Sequence, residues 1–167
     1  MNQAYIQAKE WAELEQMKSF LDKMGLPSLA TPQSDHNPVN LLSIQLSGQL
    51  HLHVIFIPLP AETFSEVSLL QFYALVKEGI DAEDIATLRL LNRINEKLPL
   101  GAFLVNADQE LVYKYVLAKD KTSMLSETFF IELLTSLVPP LEGQLALLGS
   151  YLSGQTPLSA ALESLES

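Results

Sequence analysis

Two runs of alternating apolar residues flank Ser47-Gly48-Gln49. In the first run, Val39–Leu46, the residues Leu42, Ile44 and Leu46 share one face of a strand. In the second, Leu50–Ile57, the residues Leu50, Leu52, Val54 and Phe56 do the same. Residues directly opposite in an antiparallel pair lie on the same face, so register becomes a question of parity. A two-residue loop sets Leu46 opposite Gln49 or His51 and mixes the faces. A three-residue loop pairs Leu46 with Leu50 and Ile44 with Leu52. The pattern therefore predicts a hairpin with an odd loop, eased by Gly48. An antiparallel sheet with one apolar face needs a cover, and the flanking segments supply it.

Residues 2–24 predict a helix, with Leu14, Met17, Leu21 and Met24 at helical spacing and Trp11 and Phe20 widening the stripe. Glu10, Glu13, Glu15, Lys18 and Lys23 take the other faces. Gly25 suits the left-handed C-terminal position, and Pro27 cannot continue the helix. Residues 27–38 carry Pro27, Pro32 and Pro38 and predict a loop. Residues 67–77 fit either a strand (Leu70, Phe72, Ala74, Val76) or a helix (Leu69, Phe72, Tyr73, Val76), and strand is the reading adopted. Asp81 is the expected N-cap of a helix with Ala82-Glu83-Asp84 in its first turn, carrying Ile85, Leu88, Leu91, Ile94 and Leu98 up to Pro99.

Leu100–Asn106 and Glu110–Leu117 predict a second hairpin. A two-residue turn at Asp108-Gln109 aligns Leu104 with Tyr113, Ala102 with Tyr115 and Val105 with Val112. A last helix begins near Lys121–Ser123. It runs through Phe130, Leu134, Leu137, Leu141, Leu145, Leu148 and Leu152, with Pro139-Pro140 expected to kink or split it. Gly154 ends that helix, and Thr156-Pro157 can cap a short final one carrying Leu158, Ala161, Leu162 and Leu165.

The order α-β-β-β-α-β-β-α predicts an α+β domain over residues 1–154. Its antiparallel sheet has about five strands, its helices lie mainly on one face, and a short amphipathic tail follows at 155–167. Without βαβ alternation and Gly-rich turns, a doubly wound nucleotide fold is disfavoured. Leu90-Leu91-Asn92-Arg93-Ile94-Asn95 leads through Pro99-Leu100-Gly101-Ala102-Phe103 to Val112-Tyr113-Lys114-Tyr115. Over roughly residues 5–150 this resembles the YbjN-like family, which looks like the type III secretion chaperone fold. The resemblance implies a non-enzymatic, often dimeric module that binds a peptide or another polypeptide.

Composition narrows the function classes. The 167 residues hold 10 Lys+Arg against 20 Asp+Glu, a formal charge of −10, and no cysteine. Disulfides and thiolate metal sites are excluded. An acidic chain is a poor ligand for nucleic acid or an anionic membrane. No apolar run approaches the roughly 18 residues of a membrane span, and the N-terminal residues lack a secretory pattern, so a cytoplasmic location is expected. There is no Gly-x-Ser-x-Gly elbow and no phosphate loop, so no enzyme activity and no cofactor is expected.

His51 and His53 lie two apart on one strand face, with Ser43 and Gln45 beside them, neither a good metal ligand. A polar sheet face is the expectation, and no metal. Of Asn92 and Asn95, one is expected to anchor a neighbouring backbone. The leucine ridge holds more in-phase positions than one sheet needs. Leu141, Leu145, Leu148 and Leu152 either join a second copy in a homodimer or fold back over their own sheet. The functional expectation is a chaperone-like or regulatory adaptor that docks a polypeptide, with Trp11, Phe20, His51 and His53 as candidate contacts. A small-molecule sensor with a pocket between sheet and helices is the alternative.

Overall fold

The computed structural model describes residues 3–46, 50–59 and 66–166. The elements in chain order are α1 (Gln3–Lys23), β1 (Ser28–Thr31), β2 (Leu41–Gln45), β3 (His51–Phe56), β4 (Val67–Lys77), α2 (Ile85–Asn95), β5 (Ala102–Val105), β6 (Leu111–Asp120), α3 (Glu127–Leu152) and α4 (Leu158–Ser164). The fold is mixed α+β, with a six-stranded sheet in the order β1-β2-β3-β4-β6-β5. The pairs β1–β2, β2–β3, β3–β4 and β5–β6 are antiparallel. The Lys121 N–H donates to the Glu66 carbonyl at 2.8 Å, which sets the end of β6 beside the start of β4, antiparallel again. No helix among the described residues is long and apolar enough to cross a membrane.

The parity argument holds in the first hairpin. Ile44 faces Leu52, Ser43 faces His53 and Gln45 faces His51. The Leu46 N–H donates to the Leu50 carbonyl at 2.9 Å. The loop Ser47-Gly48-Gln49 itself lies outside the described residues. Residues 67–77 form a strand, with Leu70, Phe72 and Ala74 buried in alternation. The sheet has one strand more than expected, because Ser28–Thr31 in the predicted loop pairs with β2. Pro27 and Pro32 lack N–H donors and confine that strand to four residues at the sheet edge.

Further expectations are corrected. The second hairpin is out of the predicted register by one residue: Phe103 faces Tyr113 and Leu104 faces Val112. Asn106 organises a longer turn, its Oδ1 accepting the N–H groups of Asp108 and Glu110 at 3.0 and 2.9 Å while Gln109 takes φ 59°. Both faces of this pair are largely apolar, so alternation carries only a weak parity signal there. The N-cap of α2 is Asp84, whose carboxylate accepts from Ala86 N–H and Thr87 N–H; Asp81 instead accepts from Glu83 N–H in the preceding turn. The Thr87 hydroxyl bond, chiefly, holds the Asp84 carboxyl below its ordinary range.

The last helix starts later than expected, at Glu127. The Phe129 N–H donates to Ser126 Oγ there, and residues 121–126 form a loop after β6. Pro139 and Pro140 do not split the helix. The stripe Phe130, Leu134, Leu137, Leu141 and Leu148 is buried on both sides of the prolines, and that burial holds the two halves in phase despite the missing donors.

The chain divides into two compact units. The first is Met1–Ala74 with Tyr115–Leu133. Here α1 lies against β1 and β2. Leu14, Met17 and Leu21 are buried from the helix, Leu42, Ile44, Leu52, Val54 and Phe72 from the strands. Phe20 meets Phe130 with ring centroids 6.4 Å apart. The second unit is Leu75–Lys114 with Leu134–Ser167. Its core holds Leu90, Leu91, Ile94, Phe103, Tyr113, Leu141 and Leu148, and α4 lies against α2 with Ala161 buried. Asn95 is the anchoring asparagine: its amide donates to the Phe103 carbonyl at 2.9 Å and accepts the Phe103 N–H at 2.7 Å. Asn92 is exposed.

Candidate functional site

The face of β3 opposite the core carries the histidine pair. His51 is exposed and His53 half-buried, their rings stacked with centroids 6.2 Å apart and planes 13° apart. His51 Nδ1 lies 3.3 Å from the hydroxyl of Ser43, the residue that faces His53, so the contact runs diagonally across the pair. His53 Nδ1 is buried and has no hydrogen-bond partner among the described residues. Burial, and then the charge of His51, push the His53 imidazole below its ordinary value. No group of three or more His, Asp or Glu among the described residues is placed to hold a metal ion.

The lowered imidazole value gives a pH prediction. The unfolded chain protonates His53 at its ordinary value, and the folded chain resists to lower pH. Between the two the unfolded state binds more protons, so stability falls as pH drops below about 6.5. His53→Gln should reduce that acid-side loss, read as urea midpoints across the window. An unchanged slope would show that His53 does not carry it.

Of the other expected contacts, Trp11 is half-buried, and Phe20 is only 7% exposed within the core of the first unit. Phe20 is therefore not a surface contact: its ring completes the α1 stripe against Phe130. In the second unit Leu141 and Leu148 are buried, while Leu145 and Leu152 retain part of their surface.

The first unit also contains a cavity of about 390 Å³. It is bounded by the start of α1, residues 33–40, the end of β3, the start of β4 and Lys121. Ile6, Val39, Phe56 and Ile57 form an apolar wall; Gln7, Glu10, Ser68 and Lys121 contribute polar groups. Asn40 fixes one rim: its Oδ1 accepts the Gln33 N–H at 2.8 Å and its amide donates to the Gln7 carbonyl at 3.2 Å. Lys9 Nζ donates to the Lys121 carbonyl, tying α1 to the chain after β6. Burial pushes the Glu10 carboxyl above its ordinary value, with Glu13 adding to the rise and Lys121 and Lys119 opposing it.

Residue spacing missed this site, because its walls come from segments far apart in sequence. One signal was present. Ile6, Glu10, Glu13 and Met17 follow at helical spacing, so two carboxylates interrupt the buried stripe of α1. Glu13 does not take a solvated face as expected; it is 2% exposed and paired with Lys119 at 3.1 Å. A carboxylate that far inside needs such a partner.

The arrangement offers a bound molecule an apolar wall and a few polar groups. No family model matches the chain, and no curated protein matches it either.

Proposed function

We propose that the protein is a non-enzymatic binding domain that takes a small amphiphilic molecule into the cavity beside α1. The observation that supports this reading is the cavity of about 390 Å³, which joins an apolar wall to a half-buried carboxyl raised by burial. Pockets of a few hundred cubic ångströms with few convergent polar groups suit small ligands. A carboxyl perturbed by burial, beside a charged partner inside a pocket, supports a site there.

The test is a thermal-shift screen of small molecules against the parent and Val67→Trp, which puts an indole at a lining position. A ligand at 100 times its dissociation constant should add about 2.7 kcal/mol to the parent's stability, and Val67→Trp should lose that gain. If no compound shifts the parent in a way that Val67→Trp removes, the cavity is not a binding site.

A polypeptide-binding adaptor, with the likeness to type III secretion chaperones, is the second reading, favoured by the position of β1 at the sheet edge, with no strand beyond it among the described residues. The Pro27 carbonyl accepts from Gln45 N–H, and bonded pairs recur at every second residue, so Ser28 and Ala30 turn their backbone groups outward. Leu29 on that strand is 63% exposed. Such an edge accepts an added strand, with Leu29 as a side-chain anchor.

A further inference from the structure

Among the described residues, only two charged side chains line the cavity, Glu10 and Lys121, and they are of opposite sign. They come from α1 and from the chain beyond β6, so the cavity has a negative and a positive group on separate segments. The charge of Lys121 draws the Glu10 carboxyl down, yet burial outweighs it and the carboxyl titrates high. A carboxylate in that position gains from a further cation that comes with its own apolar body. The neighbouring charges are already engaged: Glu13 with Lys119 at 3.1 Å, and Lys9 with the Lys121 carbonyl. A lone organic cation meets Lys121, and a lone organic anion meets Glu10. Each is opposed by one wall.

We propose that the cavity takes a free amino acid with an apolar side chain, its ammonium towards Glu10, its carboxylate towards Lys121 and its side chain against Ile6, Val39, Phe56 and Ile57. The inference rests on the cavity being the binding site. A zwitterion presents both charges at once and satisfies both walls without net charge entering the site. The lysine ammonium has three N–H donors, so it takes a ligand carboxylate alongside its existing contacts. The volume of about 390 Å³ is at the small end of ligand pockets, in keeping with a molecule of this size. Gln7, Gln33 and Ser68 belong to the same lining.

Isothermal titration of the whole chain with L-valine, L-leucine and L-phenylalanine tests this. Each is compared with its N-acetyl form, its amide, and the form blocked at both ends. The free zwitterion should bind about tenfold more tightly than either singly blocked form, the scale of one charge-assisted hydrogen bond. Glu10→Gln should erase the advantage of the free amino group and leave that of the carboxylate; Lys121→Met should do the reverse. The blocked series uses the unaltered protein, so the result stands even if a variant folds poorly. Equal binding of all four forms, or tightest binding of the doubly blocked form, overturns the amino-acid assignment and keeps the cavity. No binding of any form, while a screened compound still binds in a way that Val67→Trp removes, also overturns the assignment alone.

Discussion

Replacing Glu13 with glutamine should cost about 3–5 kcal/mol of stability, a large part of the total for a domain this size. The pair it breaks is deeply enclosed: the Glu13 side chain is 2% exposed and that of Lys119 6%. Oε2 of Glu13 sits 3.1 Å from Lys119 Nζ, and Oε1 accepts the Leu125 N–H at 3.0 Å. Lys119 Nζ also donates to the carbonyls of Asp120 and Ser123, at 3.0 and 2.5 Å, and lies 5.9 Å from the centre of the Phe56 ring. These contacts tie α1 to the loop that leads from β6 into α3. An amide in place of the carboxylate leaves the ammonium buried without its paired carboxylate, and removing one partner is what costs most in such pairs. Lys119→Met should be comparably damaging. The double variant Glu13→Gln/Lys119→Met should recover much of the loss, because no charge is then stranded, giving a coupling energy of about 0.5–3 kcal/mol. Urea unfolding of the four proteins measures this. Single variants within about 1 kcal/mol of the parent would mean that the pair behaves like a solvated one.

Gly101→Ala should be the second severe change, costing about 2–6 kcal/mol. Gly101 has φ +70°, in the left-handed region, where a side chain brings roughly 1–3 kcal/mol of strain. It is also crowded. An added Cβ would lie 2.8 Å from the Lys114 carbonyl oxygen and nearer still to the Tyr113 hydroxyl, and overpacking adds about 1–3 kcal/mol. Neither neighbour yields readily. The first is backbone of β6, and the Tyr113 hydroxyl donates to the Leu100 carbonyl at 2.8 Å while its ring meets Phe103 edge-on at 5.5 Å. Gly25→Ala separates the two effects: Gly25 has the same φ of +70° with nothing within 4 Å of the new atom. It should lose only the conformational part. If the two alanine variants are equally destabilised, the close approach at Gly101 contributes nothing.

Where one face of a strand is apolar and the other polar, register was legible from spacing. His51 and His53 mark the polar side of β3, so one parity alone keeps Leu52 and Val54 facing Ile44 and Leu42. In β5 and β6 both sides are largely apolar, alternation alone leaves the register open, and the Asn106-centred turn decided the pairing. The choice of Asp84 over Asp81 as cap was equally hidden. Two acids three apart are equivalent by type, and Thr87, whose hydroxyl bonds Asp84 at 2.5 Å, breaks the tie in three dimensions. Strand β1 was missed because four residues between prolines have too short a pattern to read.

By itself the sequence determined most of the helices and strands, and the apolar side of those elements that also have a polar one, since periods of 3.6 and 2 residues are local properties of the chain. Only the tertiary structure decided that Glu13 would be enclosed with Lys119, 106 positions away, and that Glu10 and Lys121 would share one cavity. No local period records such meetings. They depend on where separate elements converge, and charge placed inside a fold acquires its meaning only from what converges on it.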